Sequence, residues 1–328
     1  MHPVGINIER IKTLIELASL FDVSEEMLQG FIDNHDELVA RVLMLKNRSG
    51  EYRKIVFTKS DPYRIFLRTL SAFLYEWYSH RIPDSVHGFV KRRSIITNAQ
   101  QHTQKKSVTN IDIKHFFESI TFKEVHGIFI KVGFQDKIAG KLTELVTVDG
   151  VLAAGFATSP VLSNIACLDL DEDFKNLANE HGLIYTRYAD DITLSSNKEI
   201  PSKEEIKNIL IKYGFEINEN KYRIYRRGGP QYVTGLSVVD KRPRLSKKFK
   251  RRLRLELYYI KKYGFMDHWA KAIKRAIDKN TYPSRFSQVA YGGWGLEGFA
   301  AFIHSVEPKL GSKIFKTLLK RGEDEMYW

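Results

Sequence analysis

The sequence contains very little cysteine and no long hydrophobic run. Cys167 is the single cysteine among 328 residues, which excludes a disulfide within the chain and a zinc site built from several cysteines. Cys167 lies in an apolar run, where we expect it in the core. We see no signal peptide, membrane span, repeat or flexible linker, and therefore expect one compact, lobed, cytoplasmic protein with no membrane partner.

Charge is abundant but unevenly distributed. The chain carries 52 Lys and Arg against 39 Asp and Glu, a net charge of +13. Residues 1–240 contain 31 of each sign, whereas residues 241–328 contain 21 basic and 8 acidic residues. The whole excess therefore lies in the last 88 residues, which favours a polyanionic partner for this part.

The densest basic stretch runs from Lys241 to Lys262 and contains one acidic residue, Glu256. Its apolar residues recur at helical spacing and predict an amphipathic helix with a basic outer face: Phe249, Leu253, Leu257 and Ile260. A helix face that is only solvated usually carries charges of both signs, whereas this face is almost entirely positive. A basic helix can also bind a membrane surface, but we see no hydrophobic anchor beside it. We therefore favour contacts with nucleic-acid phosphates from Lys247, Lys248, Arg251, Arg252 and Arg254.

Two adjacent carboxylates, Asp190 and Asp191, lie between two short β-type runs. The pattern predicts a hairpin with the pair at its turn. Paired aspartates are common in solvated turns, but a second carboxylate, Asp112, interrupts another apolar β-like run, where an unpaired charge is costly. One strand aspartate and the hairpin pair could hold two divalent ions roughly 3.5–4 Å apart, as in phosphoryl displacement.

Four segments, in order and spacing, resemble the sequence boxes of reverse transcriptases. They are Ile111-Asp112-Ile113-Lys114, Gly155 to Asn164, Tyr188-Ala189-Asp190-Asp191, and Asn218-Glu219-Asn220-Lys221. One departure is Ala154, which stands where relatives often have a glutamine that reaches toward the incoming nucleotide. Two further matches resemble retron reverse transcriptases: Asn98-Ala99-Gln100-Gln101-His102 and Val233-Thr234-Gly235. The resemblance covers roughly residues 50 to 310.

The resemblance implies an α+β right-hand polymerase in three parts. Residues 1–105 would form N-terminal helices and fingers, with a hairpin over 41–58 that turns at 47–50. Residues 106–240 would form the palm, an antiparallel sheet with helices that carries the catalytic aspartates. Residues 241–328 would form a basic helical thumb that binds RNA and DNA.

The resemblance also implies an activity, RNA-directed DNA polymerisation with two Mg²⁺ ions per active site. Asp112, Asp190 and Asp191 would be catalytic metal ligands, with the backbone carbonyl of Ile113 as an extra ligand. One ion would lower the pKa of the attacking hydroxyl, and the other would neutralise charge on the pyrophosphate.

Further residues have candidate roles. Deoxynucleotide contacts are assigned to Arg53, Lys54, Phe117, Gly155 and Lys221. Phe117 would exclude a ribose 2′-hydroxyl, although both Phe116 and Phe117 could instead be core residues. RNA or DNA contacts are assigned to Asn98, His102, Thr234 and Gly235, with Thr234 and Gly235 expected on a turn. A lone histidine is more often structural than a ligand, so His102 could equally support the fold.

The retron resemblance implies specific partners. They are a structured noncoding RNA (msr-msd), deoxynucleotides, the branched RNA-linked DNA product (msDNA) and a separate toxic effector in antiphage defence. Priming would use a guanosine 2′-hydroxyl, and a host RNase H would trim the RNA. Two alternatives stay open: another bacterial reverse transcriptase of the stand-alone defence or intron-related kind, and a catalytically silent RNA-binding relative.

Overall fold

The computed structural model describes residues 8–41, 45–46, 52–53, 55–264, 267, 270–271, 274 and 295–325. The chain divides into two compact units. Unit 1 comprises Met1–Asn98 and Lys106–Tyr225, and unit 2 comprises Ala99–Lys105 and Arg226–Trp328. The N-terminal region and most of the predicted palm thus share one unit, while the division into three parts stays a prediction.

The N-terminal region of unit 1 is helical, as the sequence predicts. Its helices are α1 (Leu14–Leu20), α2 (Glu25–Asp33) and α3 (His35–Leu38), after a 3₁₀ turn at Ile8–Arg10. The Ser24 hydroxyl accepts a hydrogen bond from the Met27 N–H at 3.1 Å, which satisfies an otherwise unpaired donor at the start of α2. Leu17, Leu28 and Phe31 are buried and attach these helices to the core.

Two nested antiparallel strand pairs follow. The strands are β1 (Val39–Arg41), β2 (Leu45–Lys46), β3 (Tyr52–Arg53) and β4 (Val56–Thr58). β1 pairs with β4, and β2 pairs with β3. This pairing confirms the hairpin predicted over 41–58, while its predicted turn at 47–50 lies outside the described residues.

The rest of unit 1 surrounds a four-stranded sheet, the central sheet, with helices. The helices are α4 (Asp61–Ser79), α5 (Ile95–Gln101, which extends into unit 2), α6 (Phe122–Val132), α7 (Asp136–Val146), α8 (Ser159–Ala166), α9 (Leu168–His181) and α10 (Lys203–Lys212). The strands are β5 (Ser107–Asp112), β6 (Thr147–Val148), β7 (Val151–Leu152), β8 (Ile184–Tyr188), β9 (Asp191–Ser196) and β10 (Arg223–Arg226). β6 and β7 form a separate antiparallel pair.

The central sheet has the strand order β10-β5-β9-β8. β5 and β8 both pair antiparallel with β9, which occupies the interior of the sheet. Residues 192–196 of β9 are all buried, because helices cover the sheet and both side-chain directions of the strand meet protein. Cys167 is fully buried just before α9, as predicted, and burial raises the pKa of its thiol to about 12.

Unit 2 combines a small sheet with helices. The strands β11 (Tyr232–Val233), β12 (Leu236–Ser237) and β13 (Arg244–Leu245) form an antiparallel sheet. The helices are α11 (Lys247–Tyr263), α12 (Gly295–Val306) and α13 (Pro308–Glu325). The Glu307 carboxylate accepts hydrogen bonds from the Leu245 N–H at 3.0 Å and the Lys250 ammonium at 2.6 Å, which ties β13, α11 and the α12–α13 connection together.

In the part of the chain that the structure describes, no helix combines the length and the hydropathy that crossing a membrane requires.

Candidate active site

The β8–β9 hairpin turns through Ala189 and Asp190. Tyr188 and Asp191 are paired across the hairpin, so Ala189 and Asp190 between them form a two-residue turn. The aspartate pair therefore lies at or beside the turn, as predicted. Ala189 adopts φ +58°, a left-handed conformation that residues with a Cβ rarely take. Such strain persists only where the surroundings enforce it, and it often marks a functional turn.

Asp112 lies directly opposite Asp191 across the β5–β9 pair. The Ile113 N–H donates to the Asp190 carbonyl oxygen at 2.9 Å, which closes the end of this strand pair around the turn. Antiparallel register therefore brings Asp112 next to Asp190 and Asp191, which follow it by 78 and 79 residues in the sequence. Carbonyl ligation by Ile113 stays a prediction.

The three carboxylates repel one another. Burial, and then the neighbouring charges of Asp190 and Asp112, raise the pKa of Asp191 to about 7, against the opposing effect of Lys221. Negative charge at this point is therefore incompletely neutralised by the protein itself.

Lys221 and Asn218 hold the Asp112 side chain. The Lys221 ammonium donates to Asp112 Oδ1 at 2.7 Å, and the Asn218 amide donates to Oδ2 at 2.9 Å. Burial lowers the pKa of Lys221, but the hydrogen bond to Asp112 and the charges of the three aspartates outweigh it, so the net shift is upward. The predicted nucleotide contact of Lys221 stays a prediction, since this structure pairs it with Asp112.

The carboxylate cluster suits a divalent cation of the Mg²⁺ type. Within the described residues, no group of three or more His, Cys, Asp or Glu side chains is arranged so that it could hold a metal ion. Mg²⁺ in nucleotide-dependent enzymes is commonly bound by one or two carboxylates together with substrate phosphates and water. Hard oxygen donors with uncompensated charge, at Asp191 above all, fit that mode of binding.

A fully buried ion pair lies beneath the turn. Arg187 Nε and Nη2 donate to the two carboxylate oxygens of Asp171 at 2.7 and 2.6 Å, and both side chains have no exposed surface. Arg187 Nη1 donates to the Ala189 carbonyl oxygen at 3.2 Å and to Asn164 Oδ1 at 3.1 Å. The Tyr185 hydroxyl donates to Asp171 Oδ1 at 2.6 Å. Although burial opposes the charge of Arg187, Asp171 holds the pKa of the guanidinium above its usual value.

The segment 86–89 packs against the same turn. The His87 N–H donates to the Arg187 carbonyl oxygen at 2.8 Å, and the Asn164 amide donates to the Gly88 carbonyl oxygen at 3.0 Å. A Cβ on Gly88 would lie 2.2 Å from the Ala189 nitrogen, so only glycine permits this approach. The His87 ring shares a hydrogen bond with the Thr97 hydroxyl at 2.9 Å.

Phe117 lies in an aromatic cluster near the end of β5. Its ring centroid is 5.4 Å from that of the buried Phe116 and 6.4 Å from that of the exposed Phe89. Phe117 is half-buried, whereas Phe116 is a core residue that also contacts Phe215. Phe117 thus keeps an accessible edge, and its role in sugar selection stays a prediction.

The loop that contains Ala154 and Gly155 contacts β4 through its backbone. The Val56 N–H donates to the Ala154 carbonyl oxygen at 2.9 Å. Gly155 adopts φ +124°, and a Cβ there would lie 2.2 Å from the Val56 carbonyl oxygen. A close approach between strand and loop thus accounts for the glycine, while nucleotide contact by Gly155 stays a prediction.

Arg53 lies on β3, and Lys54 is outside the described residues. Their predicted contacts with the triphosphate stay predictions.

The first of the two retron-like matches, Asn98 to His102, has its Asn and His in the protein interior. Asn98 and His102 have no exposed surface, and neither atom of the Asn98 amide has a hydrogen-bond partner among the described residues. In this conformation both side chains are inside the protein, so a direct RNA contact by either would require a rearrangement.

The second retron-like match is a turn in unit 2. Thr234 (φ +45°) and Gly235 (φ +85°) connect β11 to β12, which confirms the predicted turn. The Gln104 N–H donates to the Val238 carbonyl oxygen at 2.9 Å, so the segment after His102 is attached to the same sheet region. RNA or DNA contacts by Thr234 and Gly235 stay predictions.

The predicted amphipathic basic helix is α11. Leu253 faces inward and is 2% exposed, whereas five predicted phosphate contacts are all exposed: Lys247, Lys248, Arg251, Arg252 and Arg254. Lys250 pairs with Glu307 at 2.6 Å, and Arg252, one of the five, lies 3.9 Å from the Glu256 carboxylate. The nearly uniform positive face is present, while its nucleic-acid contacts stay predictions.

Sequence reasoning missed the buried set Asn164, Asp171 and Arg187, and it missed Gly88. The sequence contained two signals. Arg187 places a charge within the strand β8, and Asp171 places one between Leu170 and Phe174, on the buried side of α9. An isolated buried charge requires a partner, but the sequence does not say which one.

Known proteins match this chain over its central part. The family model described as "Reverse transcriptase (RNA-dependent DNA polymerase)" matches residues 44–256. The retron Mx65 reverse transcriptase of Myxococcus xanthus is 36% identical over 193 residues, covering 50% of this chain and 45% of the relative. The retron Ec86 reverse transcriptase of Escherichia coli is 33% identical over 176 residues, covering 53% and 55%.

A third relative is matched over more of its length. The retron Ec73 reverse transcriptase of Escherichia coli is 34% identical over 260 residues, which cover 72% of this chain and 75% of the relative. The chain spans about half the length of the first two relatives. The family match, these relatives and the aspartate hairpin agree with one another, and the chain belongs to the reverse transcriptase family with its right-hand polymerase fold, within the retron-type bacterial group.

Proposed function

We propose that this protein is an RNA-directed DNA polymerase that copies part of a structured noncoding RNA into a branched, RNA-linked single-stranded DNA. One observation carries the proposal: β5 and β9 pair in a register that sets Asp112 opposite Asp191, beside Asp190 in the turn. A fold that only bound RNA would have no need to maintain three repelling carboxylates at the end of a sheet.

The proposed reaction forms one phosphodiester bond per nucleotide. A guanosine 2′-hydroxyl at the first step, and the DNA 3′-hydroxyl afterwards, attacks the α-phosphate of a deoxynucleoside triphosphate, and pyrophosphate leaves. Asp112, Asp190 and Asp191 would hold two Mg²⁺ ions, which when bound would activate the hydroxyl and neutralise charge on the leaving group. Lys221 and Asn218 keep the Asp112 carboxylate oriented.

The remaining assignments concern substrates and partners. Phe117, with its accessible edge, would select deoxyribose, and the exposed basic face of α11 would bind phosphates of the RNA and the hybrid. The protein would act in the cytoplasm with a separate toxic effector in antiphage defence, and a host RNase H would trim the template.

The test examines nucleic acid that copurifies with the protein expressed from its native locus. The wild type is compared with the Asp190→Ala/Asp191→Ala variant, and each sample is treated with DNase, RNase and a debranching enzyme. We expect a short DNA joined to RNA, only with the wild type, and a shift in its size after debranching.

The other outcomes point elsewhere. DNA without a branch would overturn the retron product and favour another type of bacterial reverse transcriptase. RNA alone in both preparations would indicate a silent RNA-binding relative.

A further inference from the structure

The catalytic turn lacks the feature that usually stabilises a tight hairpin. Two-residue hairpin turns that need a positive φ at their first position normally use glycine, and here the residue is Ala189 at φ +58°. Its neighbours Asp190 and Asp191 repel each other and Asp112. The turn is therefore held in place by contacts outside its own two residues.

Those contacts converge on one buried guanidinium. Arg187 has five N–H donors in a rigid fork, and four donated hydrogen bonds are present: two to Asp171, one to Asn164 and one to the Ala189 carbonyl oxygen. The bond to Ala189 lies at the turn itself. Asp171 on α9 binds the other side of the fork, so Arg187 connects the turn to a helix as well as to its own strand, β8.

Asn164 extends the attachment to a third segment. Its amide accepts from Arg187 and donates to the Gly88 carbonyl oxygen, and Gly88 lies so close to Ala189 that a Cβ on it would be 2.2 Å from the Ala189 nitrogen. Asn164 is fully buried, and its two hydrogen bonds connect Arg187 to the segment that contains Gly88.

We propose that Arg187, Asp171 and Asn164 are positioning residues that clamp the Ala189-Asp190 turn to α9 and to Gly88, and so hold the catalytic aspartates in register. The inference deepens the proposed polymerase function and rests on it for its kinetic readout. None of the three touches a substrate, because all are buried below the turn.

Arginine is required for this task by geometry and not by charge alone. A lysine at 187 keeps the positive charge next to Asp171, but one ammonium cannot reproduce a planar fork that bridges Asp171, Asn164 and Ala189. Arg187→Lys therefore separates a positioning role from a purely structural one. A positioning role predicts that the Arg187→Lys protein still folds but no longer holds the turn in place.

The test uses the full-length protein in three variants. Arg187→Lys and Asn164→Ala each release the turn, whereas Tyr185→Phe removes one hydrogen bond to Asp171 and none of the four that Arg187 donates. Two quantities are measured: kcat per folded enzyme with its KM for deoxynucleotide, and amide hydrogen exchange of the segment 186–192 without metal or nucleic acid. The exchange measurement does not depend on activity.

We expect Arg187→Lys and Asn164→Ala to fold, to lose kcat by roughly ten- to a hundredfold with KM changed much less, and to exchange faster over 186–192. Tyr185→Phe should match the wild type in both measurements. An inactive wild type with these exchange differences would refute the polymerase function and leave the clamp supported.

Three results would overturn the clamp. The first is wild-type exchange over 186–192 in both folded variants. The second is an equal effect from Tyr185→Phe. The third is failure of both Arg187→Lys and Asn164→Ala to fold, which would assign these residues to the stability of unit 1 and not to the turn.

Discussion

At the scale of single residues, Asp191 of the proposed active site works against the stability of the fold that presents it. Asp191 is largely buried next to Asp112 and Asp190, and its pKa is raised to about 7 for that reason. A raised carboxyl pKa means that the folded state prefers the protonated form, so the contribution of Asp191 to stability falls as pH rises from about 4 to about 7.

Asp191→Asn should therefore separate activity from stability. We expect polymerisation to fall at least about a hundredfold, because a metal ligand is lost. The melting temperature of the metal-free protein should rise by a few degrees at about pH 8, and the gain should vanish near pH 4. Primer extension and thermal unfolding in EDTA measure the two effects.

Glu216→Gln is the matched control, since Glu216 is an exposed carboxylate paired with Lys114 at 3.4 Å and near β5 in the fold. It should leave polymerisation unchanged. A destabilised Asp191→Asn protein at alkaline pH would contradict the repulsion that we infer.

His87 makes the opposite contribution to acid stability. Burial, and then the charge of Arg93, lowers the pKa of His87 to about 4. Between about pH 4 and the ordinary value near 6.5 the unfolded chain binds the proton and the folded one does not, so stability should fall as pH drops through this window, by on the order of 2–3 kcal/mol.

His87→Asn should flatten this dependence in urea unfolding experiments at a series of pH values. His80→Asn is the control, because the His80 side chain is 76% exposed. An identical pH slope in wild type and His87→Asn would show that His87 titrates normally in the folded protein.

At the scale of elements, the contact between β4 and the loop 153–157 depends on a missing side chain. Gly155→Ala would force a Cβ to within 2.2 Å of the Val56 carbonyl oxygen at a φ that alanine disfavours. We expect a loss of about 1–3 kcal/mol in the free energy of unfolding.

Gly140→Ala is the matched substitution in α7, where an added Cβ meets nothing within 4 Å. It should leave the protein unchanged or stabilise it by up to about 1 kcal/mol, since alanine favours helices. Equal effects of the two substitutions would argue against a close approach at Gly155. Denaturant unfolding gives both values.

The exposed face of α11 is the element for which we predict nucleic-acid binding. Arg251→Gln/Arg254→Gln should weaken RNA binding and reduce the slope of log K against log salt by about 1 to 2, because two phosphate contacts are lost. Lys123→Gln/Lys207→Gln removes the same charge from exposed positions on α6 and α10. Equal salt slopes for the two double variants would show that RNA binding depends on net charge and not on the exposed face of α11.

Sequence patterns predicted helices and strands better than they predicted the side-chain contacts that join them. Alternating apolar residues around Asp190 and Asp191 specify a hairpin, and helical spacing after Ser246 specifies α11, because both signals are local. The clamp of Asp171 by Arg187 joins α9 to β8 through side chains that no local period relates. Retron-like motifs located the Thr234-Gly235 turn, but burial of Asn98 and His102 came only from the structure.

At the scale of the whole molecule, the proposed catalytic residues and the predicted nucleic-acid contacts of α11 belong to different stretches of the chain. The three aspartates lie in unit 1, and the net positive charge of the sequence lies in residues 241–328. Substitutions at the aspartates should therefore leave binding intact.

Asp112→Asn/Asp190→Asn should abolish polymerisation and bind RNA with the wild-type salt slope, or slightly more tightly because two negative charges are gone. Filter binding over a range of salt concentrations, beside primer extension, tests this. Parallel loss of both activities would mean that the substitutions damage the fold.

The buried thiol of Cys167 gives the protein a built-in reporter of its own opening. With its pKa raised to about 12 and no exposed surface, the sulfur presents almost no thiolate to reagents at neutral pH. Alkylation of this one site therefore proceeds through opening of the region around α8 and α9. Mass spectrometry of a timed labelling reaction would read the population of that open state directly, in cell lysate as well as in purified protein.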